Sequence, residues 1–194
     1  LNGDPEVIAL IKSNFEIPST NRDPQKMTVL GMTGVTALVR ATAYEMEKNG
    51  ILYPAQDIRE VLLNADITHI SNEVPFAENC PYPNPTQSHV RFCSRDGYIQ
   101  LLEDVGTDVV ELTGDHFQDW GTEAMYHTLD MYRQRGWLYY GGGMDLADGR
   151  KALLMENNTN KIAFIGCNAK GGSFAQASET DPGAVTCDFD WMAG

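Results

Sequence analysis

Two carboxylates and an imidazole crowd the stretch Gly114-Asp-His-Phe-Gln-Asp-Trp-Gly121. Asp115, His116 and Asp119 offer oxygen and nitrogen donors that suit a divalent metal or shared acid–base work. The same residue types also occur at helix starts, where the two aspartates would cap the next helix and the histidine would simply pack. A third carboxylate, Glu73, precedes the apolar run Val74-Pro-Phe76. Burial raises a carboxyl pKa unless a cation or donors compensate; an ordinary salt bridge is the alternative for Glu73. The remaining histidines carry less. His69 lies in an alternating segment and reads as a core residue with a backbone partner. His127 reads as structural or exposed, and His89 sits beside a proline-rich loop with no signal. Gly141-Gly-Gly143 has neither dinucleotide-fingerprint nor P-loop spacing, so a tight turn explains it better. No G-x-S-x-G elbow occurs, and Ser71 beside Glu73 makes no triad.

The elements that must position these groups alternate. Strand patterns cover residues 27–32, 66–71, 108–112 and 137–140. Helical patterns lie between them. One places Val35, Leu38, Val39 and Met46 on a face that runs to Gly50; others cover 57–64, 95–105 and 122–135. Asp4-Pro5 starts a further helix with Val7, Ile8, Ile11 and Phe15 on one face. Residues 17–25 connect it to the first strand. Residues 77–87 form a long, proline-rich surface loop. Residues 151–156 and 161–166 flank Asn157-Asn-Thr-Asn160 as a hairpin. The expected fold is α/β: a mixed, largely parallel sheet flanked by helices. Parallel strands open on one rim, so Gly34-Val35, Ser71-Asn72-Glu73 and Gly114-Asp115-His116 should converge there without being adjacent in sequence.

The 194 residues suit one domain or a large piece of one, and 42% hydrophobic residues can supply a core. A net charge of −13 argues against a nucleic-acid partner, because such binding needs cations to neutralise phosphates. No apolar run is long enough to cross a membrane, and no secretory signal opens the chain. Lacking an initiator Met, the chain reads as processed or excised. Cys80 and Cys93 bracket the proline-rich loop; Cys167 and Cys187 bracket a glycine-rich one. Each pair is either a disulfide, pointing outside the cytosol, or two buried thiols. The expected organisation is an N-terminal helix and connector (1–26), an α/β core (27–167) and a loop-rich acidic tail (168–194).

The chain resembles the CapA family, bacterial capsule-synthesis and poly-γ-glutamate proteins whose fold is similar to calcineurin-like metallophosphoesterases. The carrying stretches are Ala65-Asp-Ile-Thr-His-Ile-Ser-Asn-Glu-Val-Pro-Phe76 and Gly106-Thr-Asp-Val-Val-Glu-Leu-Thr-Gly-Asp-His-Phe-Gln-Asp-Trp-Gly121. Thr128-Leu-Asp-Met-Tyr132, Tyr140-Gly-Gly-Gly143 and Lys161-Ile-Ala-Phe-Ile-Gly166 follow in family order. Glu73 matches the glutamate of the family's second motif, and His116, Asp119 and Gly121 match its third. Three residues depart from the pattern. Val35 stands where a metal-competent Asp is usual, Ser71 replaces an Asn, and Asp115 replaces another Asn. Valine cannot ligate a metal, although an added carboxylate partly offsets that loss.

The resemblance implies a sheet that is one half of an α/β/β/α sandwich, completed by a missing C-terminal portion or a partner chain. It implies a divalent metal (Mn, Fe or Zn) on Glu73 and Asp115. His116 would donate a proton or stabilise charge, and Asp119 would orient it. Ser71, Asn72 and Asn168 would line the site. The implied function is capsule or poly-γ-glutamate synthesis or retention at the cell envelope or outside it, with a degenerate site. The alternative is an active metal-dependent hydrolase of phosphoester or related polymer linkages.

Overall fold

The computed structural model describes residues 23–194; the helix expected after Asp4-Pro5 lies outside them. The elements run in chain order as β1 (Leu30–Thr36), α1 (Arg40–Asn49), α2 (Arg59–Leu63), β2 (Ile67–Asn72), β3 (Phe76–Ala77), β4 (Ser94–Arg95), α3 (Ile99–Asp104), β5 (Val109–Glu111), α4 (Thr122–Gln134), β6 (Leu138–Tyr140), β7 (Gly142–Gly143), α5 (Leu146–Gly149), β8 (Leu153–Asn157), β9 (Asn160–Phe164), β10 (Gly183–Ala184) and α6 (Phe189–Ala193).

The central sheet has the order β1-β2-β5-β6, and every pairing in it is parallel. Each strand joins the next through helix, and right-handed crossovers place all those helices on one face. Packing agrees. Met46 of α1, Leu62 of α2, Leu102 of α3 and Met125, Leu129 and Tyr132 of α4 share one core with Ile70 and Val110 of the sheet. The opposite face is covered by the β8–β9 hairpin, whose Leu153, Met155, Ile162 and Phe164 meet Ile67, Val109 and Tyr140. Asn158 and Thr159 turn that hairpin with positive φ. The cover is partial: Met32, which pairs with His69, is 57% exposed.

The first strand begins and ends later than its residue pattern suggests. It starts at Leu30 because Asp66 holds Val29 at its entrance, its carboxylate accepting the Val29 N–H at 2.7 Å. Gly34 does not end it. Met32 pairs with His69 and Val35 with Ser71, so one extra residue is accommodated as a bulge at Thr33-Gly34. Val35 is therefore strand, not helix, and α1 begins only at Arg40. Arg40 itself has φ +49°, a region that costs a residue with a β-carbon about 1 kcal/mol or more.

The tail after Asn168 is more ordered than a loop. Gly183–Ala184 pairs antiparallel with Gly142–Gly143. A Cβ at Gly142 would sit 2.7 Å from the carbonyl oxygens of both Gly183 and Leu112. Close backbone approach, more than turn geometry, thus explains the glycine run. Both cysteine pairs are disulfides, Cys80–Cys93 and Cys167–Cys187.

Candidate metal centre

Glu73 follows β2 directly, its N–H donating to the Thr36 carbonyl at 3.3 Å, so the ladder carries it to the rim. Asp115 and His116 follow β5 after the non-helical segment Leu112-Thr-Gly114. Phe117, fully buried in the helical core, anchors the turn between them and α4. Glu73, Asp115 and His116 each present one ligand atom, and these lie within 4.8 Å of one another. Gly114 makes this closeness achievable. A Cβ there would stand 2.9 Å from the Glu73 Cα and 3.0 Å from its carbonyl oxygen.

The capping alternative for the aspartates fails. The residue before α4 is Gly121, with no side-chain cap. Asp119 is instead committed to the site. Its Oδ2 lies 2.7 Å from His116 Nδ1 and accepts the Phe92 N–H at 2.9 Å. A carboxylate oxygen accepts here, so Nδ1 carries an N–H, and in the neutral ring Nε2 keeps its lone pair. That nitrogen is the one 4.0 Å from the Asp115 carboxylate. An imidazole oriented by a carboxylate on its far nitrogen is the arrangement that metal-ligating histidines use. The Phe92 ring packs edge-on against His116 at 4.8 Å between centroids. Burial pushes the Glu73 carboxyl above its ordinary pKa, the His116 charge opposes this, and Asp115 and Asp119 add to it. A cation would remove that cost, so two carboxylates and one imidazole fit a hard-to-borderline divalent ion.

The other expected site residues separate. Asn168 comes close: its Nδ2 donates to the Thr113 carbonyl at 2.6 Å, and its Oδ1 accepts from the Lys170 N–H at 2.8 Å. Gly171 then packs against Asp115, where an added Cβ would be 3.0 Å from that of Asp115. Ser71 pairs with Glu111 and Val35, on the face away from the helices. Asn72 turns to the helical side and is fully buried, its Nδ2 donating to the Val74 carbonyl and the Tyr132 hydroxyl at 2.8 and 2.6 Å. Strand alternation forces this split between neighbours. His69 is buried, but its partner is the Tyr140 hydroxyl at 2.9 Å instead of the backbone. Burial lowers its pKa, against a pull from Glu111. His127 is exposed and pairs with Asp96.

Residue patterns did not single out Arg40, Arg91 or Phe92. The Arg40 guanidinium lies over Phe92 at 4.7 Å, and that of Arg91 over Trp120 at 5.0 Å. The only hints in the chain are position: Arg40 follows the first strand, and Arg91-Phe92 precedes Cys93.

A parallel α/β sheet with metal-competent side chains on its carboxyl rim defines the class of protein. The chain belongs to the family of bacterial capsule synthesis proteins, PGA_cap, whose family model matches residues 29–189. It is similar to the capsule biosynthesis protein CapA of Bacillus anthracis, 20% identical over 174 residues. That match covers 89% of this chain and 42% of the relative, so the chain spans less than half the relative's length. No helix among the described residues is long and apolar enough to cross a membrane.

Proposed function

We propose that the protein helps to build or retain an anionic capsule polymer, such as poly-γ-glutamate, at the cell envelope. In this reading Glu73, Asp115 and His116 hold a divalent metal, Mn, Fe or Zn, where the polymer approaches. The observation that carries it is the approach of those three ligand atoms to within 4.8 Å, in a chain of the capsule-synthesis family. The similarity to a capsule biosynthesis protein of Bacillus anthracis supports the capsule role. Two disulfides fit an oxidising compartment. A divalent ion there supplies Lewis acidity toward an ester oxygen or water. The chain's own part is positioning. Asp119 fixes the His116 ring, Asn168 holds the main chain that leads into Asp115, and Gly114 lets Glu73 close on both. Exposed Met32 and Val35 are covered, in the assembled protein, by a further segment of chain or a partner.

Val35 favours a degenerate site, since it stands on the rim strand and offers no donor. The hydrolase reading has its own support. His116, held in one tautomer by Asp119, and Glu73, with its raised pKa, can orient and move a proton at a phosphoester or related linkage. Elemental analysis of the purified protein tests the metal directly. Stoichiometric Mn, Fe or Zn that disappears in Glu73→Ala and Asp115→Ala supports it; absence of metal in the native protein refutes it. Turnover of a generic phosphodiester separates the two readings. The net charge of −13 opposes an anionic polymer, so binding should need divalent ions. Tight binding that persists in EDTA counts against this mechanism.

A further inference from the structure

We propose that Arg40 and Arg91 form an oxyanion subsite beside the candidate metal centre, taking a carboxylate or phosphate group next to the linkage held there. The subsite rests on the metal-centre reading for its purpose, but not for its geometry.

Charge pairing sets these two arginines apart. Arg59, Arg95, Arg133, Arg135 and Arg150 each have a carboxylate partner. Arg40 and Arg91 have none among the described residues, in a chain where acids outnumber bases 27 to 14. Both line one groove, together with Gln87, His89 and Tyr82. Both also flank the same loop. Arg40 stacks on Phe92, whose ring meets His116 edge-on, so one aromatic ring separates its guanidinium from the imidazole. Arg91 stacks on Trp120 and donates from Nε to the Asp119 carbonyl at 2.6 Å.

Stacking accounts for the faces of the two guanidinium groups; of their edges, only Arg91 Nε is taken, by the Asp119 carbonyl. The edge carries the N–H donors that match a planar or tetrahedral oxyanion. Arg40 Nε is buried with no hydrogen-bond partner, a state normally avoided because an unmet buried donor is costly. The backbone adds a second cost, since Arg40 is held at φ +49°. Glycine would sit there without strain and without a guanidinium. A bound oxyanion meets the outer N–H groups of the two guanidinium edges, not the buried Arg40 Nε, and supplies the missing countercharge. It also gives an acidic protein a local point of attraction for an anionic chain.

The test is calorimetric titration with two probes, a γ-linked glutamate hexamer and tripolyphosphate, with Mn²⁺ present. The variants are Arg40→Gly, which suits the backbone, Arg40→Lys, which keeps the charge without the fork, and Arg91→Gln. Expected is an affinity at least about tenfold weaker for Arg40→Gly and Arg91→Gln, with Arg40→Lys between them and the native protein. Loss for the hexamer alone assigns the subsite to polymer carboxylates; loss for tripolyphosphate alone assigns it to phosphate. Mn²⁺ affinity and melting temperature, measured on the same samples, should stay near the native values. Folded variants that bind both probes as the native protein does overturn the subsite, as does a native protein that binds neither. If the native protein takes up no metal while the variants still lose probe affinity, the metal centre fails and the subsite stands.

Discussion

Replacing Gly114 by alanine tests whether Glu73 and Asp115 are brought together for a reason. The new Cβ would stand 2.9 Å from Glu73 Cα and 3.0 Å from both its Cγ and its carbonyl oxygen. Carbon–carbon contacts settle near 3.5–4.0 Å, so Glu73 must retreat by about 0.5–1 Å. Two of the three opposing atoms are backbone, which cannot swing away as a side-chain tip can. Overpacking of this kind costs about 1–3 kcal/mol of stability. Its effect on the site should be larger in relative terms. Metal–ligand distances tolerate only about 0.2 Å, and a lesser disturbance of ligand-supporting contacts costs about 10–100-fold in metal affinity. The assay is metal uptake by equilibrium dialysis with elemental analysis, beside a thermal melt in EDTA. Gly136→Ala is the control. Gly136 has φ +72° and nothing within 4 Å of an added Cβ, so alanine there strains the backbone without touching Glu73. A folded Gly114→Ala protein that binds metal as tightly as the Gly136→Ala control would refute the argument.

Asp119→Asn should weaken metal uptake by about 10–100-fold, because an amide no longer dictates which His116 nitrogen carries the proton; unchanged affinity would make Asp119 a structural residue only. His69 governs a pH effect. Its pKa is depressed by burial, so the stability it contributes is present above the ordinary histidine value and is lost as pH falls through the depressed one. Melts in EDTA should therefore show stability falling on acidification below about 6.5, and His69→Gln should flatten that fall; an equal slope in the variant would sink the assignment. Reducing the disulfides, with sequence separations of 13 and 20, should cost about 3 kcal/mol each. Metal affinity should drop as well, because Cys93 adjoins Phe92, which donates to Asp119, and Cys167 adjoins Asn168, which holds the Thr113 carbonyl leading into Asp115. A lowered melting temperature with unaltered metal affinity would separate the staples from the site.

The amino-acid order determined the alternation of strand and helix, and with it the parallel sheet and the rim that gathers Glu73, Asp115 and His116. Those features are local periodicity plus one chirality rule, so they survive without coordinates. Strand ends are legible only to within a few residues, because a bulge, as at Gly34, and a terminus look alike in one dimension. Asn72 faces the helical core and not the rim, because alternation along β2 sends it to the side opposite Ser71, and which side is which is set by packing. Whether each cysteine pair, Cys80–Cys93 and Cys167–Cys187, is a disulfide or two thiols is open in the sequence and decided by the fold, since sequence distance does not fix spatial distance. Tertiary structure alone decided three things: that Asp119 serves His116 instead of capping α4, that Gly114 is small to admit Glu73, and that two arginines far apart in the chain share one groove. Each is a contact between segments distant in sequence, and such contacts are set by packing of the whole domain, which no local pattern encodes.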